Sequence, residues 1–453
     1  GASDRQTQLR PVGRHRNNHR TDTLKLKKWT LAGLAVLLVA GGAPWGVGYV
    51  TEQHWREATL EVNRAQPFLN LETEQYRRGV LGSEVSATVT LRDPETGDSH
   101  TIAIEIQVSH GVTGSLMDFR PRQGWQPEGA DWFPDDEPSL TLETRLWGSA
   151  TLELTAPVMD IDNPERETSL KSSGGLVRIN VGRLGEAADL LVVWPAIRLS
   201  DPEMDVTIDN VHMEQSMEWL VGDIWTGAGV MTVDNLTLQG AQAPAMTLAG
   251  MSLESASDAR QNGERLDSQV TLSLESAALA DQAFGPHRLE VALENLDVAS
   301  WNDFSGAMAD MQALALTAGD DPRAAFEQQM AVMQRFNEAL RSLAAEGFSM
   351  GIRELSLATP EGEVTGSLDI SHPELSDQQR DNMLMVMQAL TGSVNFSMPV
   401  ALAEDYPAVR MQVAPLIKQG LLVQNGERLV MDGRMEDLVL TVNDVEIPLP
   451  PLL

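Results

Sequence analysis

The chain of 453 residues contains no cysteine, and lysine is almost absent after residue 28. The lack of cysteine excludes disulfides, thiolate nucleophiles and cysteine-ligated metals. Residues 1–28 carry eight basic and two acidic side chains, so the whole-chain net charge of −32 becomes −38 for residues 29–453, where Lys171 and Lys418 are the only lysines. Because a binder of phosphates needs a basic face, we predict that this acidic region binds neither nucleic acid nor anionic lipid headgroups.

Motifs for metals and cofactors are also missing. Neither H-E-x-x-H nor G-x-x-x-x-G-K-[ST] occurs in the sequence. Acidic residues cluster at 131–137 and 160–167, but both clusters lack the glycine and the final glutamate of a calcium-binding loop. We interpret both as solvated acidic loops and predict no metal and no cofactor. His212 and Glu214 are expected to form an exposed polar pair on one strand face.

One long uncharged segment runs from Thr30 to Val50. Its 21 residues can cross a hydrocarbon core of roughly 30 Å as an α-helix. Basic residues flanking such a helix stay in the cytoplasm. We therefore predict a basic cytoplasmic tail (1–29), a transmembrane anchor in the lipid bilayer (30–50), a juxtamembrane helix (51–69) and a large region outside the membrane. A cleaved signal peptide is the alternative, although the apolar run exceeds a signal h-region of roughly 7–15 residues.

Alternating apolar and polar residues dominate the region after residue 70. Val85, Ala87, Val89 and Leu91 show the period of two that is typical of a half-buried strand. We predict mostly antiparallel β structure of the α+β class, built as one long curved sheet or sandwich, in a β-rich region (70–300) and a mixed region (301–453). The same alternation recurs at 101–108, 140–154, 175–181, 204–213, 230–238, 246–253, 270–274, 289–296, 352–357, 364–370 and 394–398.

Helical periodicity interrupts the strands at 301–315, 322–346, 377–391 and 401–419, the last of which must kink or split because it contains two prolines. Helix 322–346 carries one apolar stripe, which is interpreted as a core face. A methionine-rich groove for lipid or peptide is the alternative. Tight Asn-Gly and Asp-Gly turns are predicted between the last strands. The stripe consists of Phe326, Met330, Met333, Leu340 and Leu343.

Residues 347–351 read G-x-S-x-G, the pattern around the nucleophile of many hydrolases. That chemistry needs a strand before the serine and a helix after it, so that the hydroxyl lies on a strained turn. Here a helix is predicted before Ser349 and a strand after it. The downstream His372 follows Asp369 by three residues, which is a poor arrangement for an acid and a base. We predict that the protein is not an enzyme.

Several short motifs without an assigned role follow one another along the chain. They are Tyr76, Arg77, Arg78 and Gly79; His110 and Gly111; Trp301; and Asn425, Gly426, Asp432 and Gly433. Their order and spacing make the chain similar to the YdgA-like family of bacterial inner-membrane proteins, a family of unknown function. The resemblance implies an envelope protein that faces the periplasm and associates with itself, and it implies no activity.

Two functions remain open from the sequence. The first is an anchored binding or scaffolding protein of the cell envelope, which associates with itself or with other envelope proteins. The second is a lipid or lipoprotein handler that shields hydrocarbon on an apolar sheet face. The distinguishing feature is whether that face is covered or open. A serine hydrolase at Ser349 ranks third.

Overall fold

The computed structural model describes residues 69–78, 82–92, 99–111, 114–280, 282–316 and 321–450. Within these ranges 23 strands join in one sheet. They are β1 (Leu69–Arg78), β2 (Gly82–Arg92), β3 (Ser99–His110), β4 (Gly114–Pro121), β5 (Ser139–Arg145), β6 (Ala150–Ala156), β7 (Met159–Asn163), β8 (Thr168–Ser172), β9 (Gly175–Gly182), β10 (Ala187–Ser200), β11 (Met204–Val221), β12 (Ile224–Gly240), β13 (Met246–Arg260), β14 (Arg265–Leu279), β15 (Gln282–Phe284), β16 (His287–Asp297), β17 (Phe348–Thr359), β18 (Gly362–His372), β19 (Thr391–Pro399), β20 (Val423–Asn425), β21 (Arg428–Glu436), β22 (Val439–Val442) and β23 (Val445–Pro448).

Six α-helices are also present in the described ranges, and none of them is long and apolar enough to span a membrane. The predicted tail, anchor and juxtamembrane helix lie outside the described residues, apart from Leu69 in β1. The helices are α1 (Val298–Leu316), α2 (Pro322–Ala345), α3 (Asp377–Arg380), α4 (Met383–Gln388), α5 (Val400–Asp405) and α6 (Pro407–Lys418).

The sheet is an antiparallel meander in which most strands pair with their neighbours in sequence. Four pairings depart from this order, and two of them, β14 with β16 and β19 with β21, only pass over the short strands β15 and β20. β6 pairs with β9, so the hairpin of β7 and β8 leaves the meander, and β10 pairs with β9 through one half and with β8 through the other. The prediction of a mostly antiparallel α+β protein is confirmed, and of the two arrangements considered, the structure has the single long sheet.

The best-buried core lies against β2 to β6. Apolar residues at alternate positions of these five strands meet in one cluster, which also receives Phe119 and Trp125. Each of its buried members is at most 5% exposed, so this part of the apolar side is covered. The buried members are Val85, Ala87, Val89, Ile104, Ile106, Val108, Met117, Leu140, Leu142, Ala150 and Leu152.

Helices cover the sheet only near its far end. The start of α1 and the end of α2 pack on Leu266 and Leu296 through Val298 and Leu343. A second cluster joins α5 and α6 to β18, β19 and β21. A third holds Val386 of α4 against the end of α2.

An ionic junction ties the end of α2 to α3 and β14. The buried Arg265 of β14 donates to the carbonyl oxygens of Asn295 and Glu346, at 3.2 and 3.0 Å. Arg380 of α3 binds the Glu346 carboxylate, and this hydrogen bond raises the pKa of the guanidinium above its ordinary value. Three elements are therefore linked through one glutamate.

The predicted helices 301–315 and 322–346 lie in α1 and α2, and Pro322 occupies the first turn of α2 after the N-cap Asp321. The predicted helix 377–391 is wrong as one element. Asn382 interrupts it and caps α4, with its side chain accepting from the backbone of Leu384 at 3.1 Å. The fourth helix splits before Pro407, as predicted.

The two dipeptides near the C-terminus have different roles. Asn425 and Gly426 lie where β20 turns into β21, as predicted. Asp432 and Gly433 lie inside β21, so the predicted turn there is wrong. A Cβ on Gly433 would lie 2.7 Å from Cγ1 of Val394, so glycine allows close strand contact instead of a turn. The neighbouring turn falls at 437–438, where both residues have positive φ.

Candidate functional site

The most extensive candidate site is an apolar sheet surface on β10 to β14. Directly paired residues of antiparallel strands point to the same face, so the register defines continuous rows of side chains. We call these residues the open apolar surface. Its four rows are Val192, Met213, Met231, Leu253 and Leu272; Trp194, Val211, Val233, Met251 and Leu274; Ile197, Ile208, Leu236, Leu248 and Ala277; and Leu199, Val206, Leu238, Met246 and Leu279.

None of the residues in these four rows is buried. Leu272 is 40% exposed and Leu279 is 49% exposed, whereas Met117 in the core of β2 to β6 is fully buried. The rows extend about 19 Å across five strands at roughly 4.8 Å per strand, and from Val206 to Met213 about 23 Å along β11. Among the described residues, therefore, this part of the sheet is left open, with most of the row residues half-buried by their neighbours in the sheet.

The opposite face of the same strands is polar. His212 lies 3.1 Å from Glu214, and both side chains are exposed, as predicted. Arg288 and Glu354 form an ion pair of 3.1 Å farther along the same face. The sheet therefore separates a polar, solvated side from an apolar side.

A pocket of about 280 Å³ lies at one end of the open apolar surface. It forms where the hairpin of β7 and β8 meets β10 and β11, and its apolar lining includes Ile161, Leu170 and Leu199. This pocket is not predicted from the sequence, because the acidic residues at 160–167 indicate a solvated loop. The alternation around Ile161 in β7 was the signal that could have revealed it.

The second apolar feature is a groove of about 720 Å³ between α2 and the start of α4, lined by Phe326, Met330, Met333 and Met383 together with polar residues. Phe326 is 62% exposed and Met330 is 56% exposed. The interpretation of this stripe as a core face is wrong for its first half. Only the C-terminal part of α2, including Leu343, is buried, because the rest of the helix extends past the sheet.

Ser349 does not have the surroundings of a nucleophile. It lies in β17, directly after α2, and its hydroxyl is 3.4 Å from Asp369 on the polar face. His372 pairs with Phe348, the residue next to Ser349, and therefore points to the opposite side of the sheet. Both ring nitrogens of His372 lie 2.7 Å from carbonyl oxygens, those of Pro373 and Val386. These residues do not form a catalytic triad.

His110 links three strands through hydroxyl groups. Its Nε2 is 3.0 Å from Oγ of Ser83 on β2, and its Nδ1 is 3.1 Å from Oγ of Ser115 on β4. Both serines are buried. Next to it, the backbone N–H of Gly111 donates to the carbonyl of Gly114 at 2.7 Å. This arrangement closes one end of the β2 to β6 core.

The remaining motif positions are spread over the sheet and do not converge. Tyr76, Arg77 and Arg78 belong to β1 and pair with β2, while Gly79 lies outside the described residues. Trp301 lies in α1, stacks on Phe304 at 5.6 Å between ring centroids, and packs at the base of the α1–α2 hairpin. In the described part of the chain, the acidic residues do not bring together a set of three metal ligands.

Comparisons with known proteins identify a family for this chain without supplying a function. A family described as "Bacterial protein of unknown function (DUF945)" matches residues 26–450. The chain is 20% identical over 308 residues to Protein YdgA of Escherichia coli (strain K12). That similarity covers 61% of each chain, so this chain spans less than two thirds of the relative it matches. No solved structure matches.

Proposed function

The chain belongs to the DUF945 family of bacterial proteins of unknown function, and on that premise we propose that it is a non-catalytic binding protein of the cell envelope whose open apolar surface holds hydrocarbon chains. The single observation that carries this proposal is the exposure of the apolar rows on β10 to β14. Acyl chains of a lipid or of a lipoprotein are the ligands that we propose.

The energetic argument rests on exposed apolar area. Each Å² of apolar surface removed from water is worth about 25 cal/mol, and soluble monomers rarely expose patches beyond a few hundred Å². Four apolar rows on five long strands form a continuous apolar patch, which is larger than the isolated patches that scattered surface leucines form. A hydrocarbon chain can cover such a surface without meeting the acidic groups, because these lie on the other face of the strands.

The proposed location follows from the N-terminal sequence. Residues 30–50 would anchor the protein in the bacterial inner membrane, with residues 1–29 in the cytoplasm and the sheet in the periplasm. An anchor of this kind keeps the open apolar surface close to a source of acyl chains. Residues 29–453 carry a net charge of −38, which repels an anionic lipid headgroup and favours binding through the acyl chain of the lipid.

A scaffolding role is the second candidate, and the groove between α2 and α4 favours it. Methionine-rich grooves adapt to apolar helices of different sequence. In this alternative, α2 binds another envelope protein or a second copy, and the open apolar surface serves as a further contact. The serine hydrolase remains third, since the Ser349 hydroxyl contacts the Asp369 carboxylate, while His372 lies on the other side of the sheet.

Photocrosslinking tests the proposal with the full chain. We would add phosphatidylethanolamine with a diazirine on its acyl chain, irradiate, and map the crosslinked peptides by mass spectrometry. In the unmodified protein we expect crosslinks in β10 to β14. The variant Leu253→Glu should lose these crosslinks. The matched control Ser252→Glu should keep them, because residue 252 lies on the polar face. Crosslinks in residues 30–50 provide an internal control. Crosslinking confined to residues 30–50 would refute the proposal.

A further inference from the structure

The pocket at the end of the open apolar surface has the properties of a site for the end of a chain. Its members Leu170, Leu199 and Val206 are paired directly across β8, β10 and β11, and Ile161 of β7 pairs with Leu170. All four side chains therefore share the face of the open apolar surface. Ile161 is only 7% exposed, so the apolar face is covered at the β7–β8 hairpin, in contrast to the rows on β10 to β14.

The volume of the pocket limits what it can hold. At about 280 Å³ it is several times larger than the roughly 30 Å³ of one water molecule, and it lies just below the range of roughly 300–1,000 Å³ for whole-ligand pockets. A linear apolar segment fits such a space, whereas a complete lipid does not. The rest of the molecule must then lie outside, along the rows of β10 to β14.

Charge at the rim determines which end of an amphiphile can enter. Asp201 lines the pocket, and its carboxylate accepts from the backbone N–H groups of Glu203 and Met204, at 2.8 and 2.6 Å. Glu203 is a close neighbour of Asp201 in the chain, whereas Asp205 lies on the other face of the sheet, as do the directly paired Lys171 and Arg198. Lysine and arginine are missing from the lining in this described part of the chain. A phosphate or carboxylate headgroup would be repelled there, and an uncharged hydrocarbon end would not be.

The opposite end of the same face changes character. Beyond Met213, the next row on this face consists of Leu190, Gln215, Gly229, Ser255 and Val270, so it is polar or lacks a side chain on the three central strands β11 to β13 and stays apolar at its two ends. The apolar stretch between Val206 and Met213 measures about 23 Å, longer than the roughly 15 Å of one bilayer leaflet. One extended acyl chain therefore fits between the pocket and the polar row.

From these observations we propose that the open apolar surface binds a single-chain amphiphile in one direction. The methyl end of a straight hydrocarbon chain enters the pocket beside Ile161 and Leu199, and an uncharged polar head lies toward Gln215. This inference rests on the proposed function, and it adds the orientation and the class of ligand.

The test uses the full chain and monoacylglycerols from decanoyl to octadecanoyl, with affinity measured by displacement of a fluorescent monoacylglycerol. Leu199→Trp fills the pocket mouth, where Leu199 is partly exposed and a larger side chain can be accommodated. Arg198→Trp is the matched control, because Arg198 lies next to Leu199 on the other face of β10. Thermal unfolding of both variants checks their folding.

We expect Leu199→Trp to weaken binding of the octadecanoyl compound about tenfold and of the decanoyl compound much less, because the shorter chain does not reach the pocket; Arg198→Trp should change neither. If the unmodified protein binds these compounds and Leu199→Trp behaves like Arg198→Trp at every chain length, the orientation is wrong while the proposed function stands. If the unmodified protein binds none of them and shows no acyl crosslinks in β10 to β14, both proposals fail.

Discussion

Two leucines on the same side of the sheet should differ sharply in what they contribute to stability. Leu140 of β5 is 2% exposed within the core of β2 to β6, whereas Leu272 of β14 is 40% exposed on the open apolar surface. Leu140→Ala removes buried methylenes and leaves a cavity, which costs about 2–5 kcal/mol. Leu272→Ala leaves no enclosed cavity, and its transfer free energy is reduced by exposure, so we expect about 1 kcal/mol.

Urea unfolding of both variants measures this difference. The midpoint should fall strongly for Leu140→Ala and slightly for Leu272→Ala, with the m-value unchanged in both, since similar total surface is exposed on unfolding. Acyl crosslinking should fall in Leu272→Ala and persist in Leu140→Ala. Equal loss of stability in the two variants would contradict the reasoning, because it would mean that something covers the open apolar surface in solution.

Three further predictions concern single side chains. Arg265→Met should lower the free energy of unfolding by about 3 kcal/mol, because Glu346 then loses Arg265 and keeps only Arg380 as an ionic partner. An unchanged free energy of unfolding in urea would show that the junction is dispensable. Gly433→Ala should cost about 1–3 kcal/mol through contact with Val394 and be relieved in the double variant with Val394→Ala, whereas Gly426→Ala, with open space around it, should cost only the positive-φ penalty of about 1 kcal/mol. Ser349→Ala should change the free energy of unfolding by less than about 0.5 kcal/mol and leave acyl crosslinking intact. If cells carrying this variant showed the same envelope defect as cells without the protein, the hydrolase hypothesis would be reopened.

The secondary structure was largely readable because periodicity is a local property. Alternation predicted strands at Val85 to Leu91 and again at 230–238, and both lie in strands of the single sheet. Proline placed the break between α5 and α6 for an equally local reason. The turn predicted at Asp432 and Gly433 was wrong, because this dipeptide is compatible both with a tight turn and with a strand that has a close neighbour. The contact with Val394, which is distant in the chain, is what identifies the strand.

The candidate site was predicted only as an alternative. Met231 and Val233 alternate with polar residues just as Val85 and Val89 do, yet only the second pair is buried. Likewise, one stripe of α2 contains the exposed Phe326 and the buried Leu343. The pattern identifies the apolar side of an element, and it carries no information about what lies against that side.

Most of the strands and helices and the continuous apolar side of the sheet follow from the order of residues alone, because they depend on spacing along one chain and on backbone chemistry. Where that side is covered depends on tertiary contacts. Burial depends on how far the sheet curls and on where distant segments such as the β7–β8 hairpin and α1 pack. Those contacts join residues far apart in the chain, and they separate a closed core at β2 to β6 from an open surface at β10 to β14.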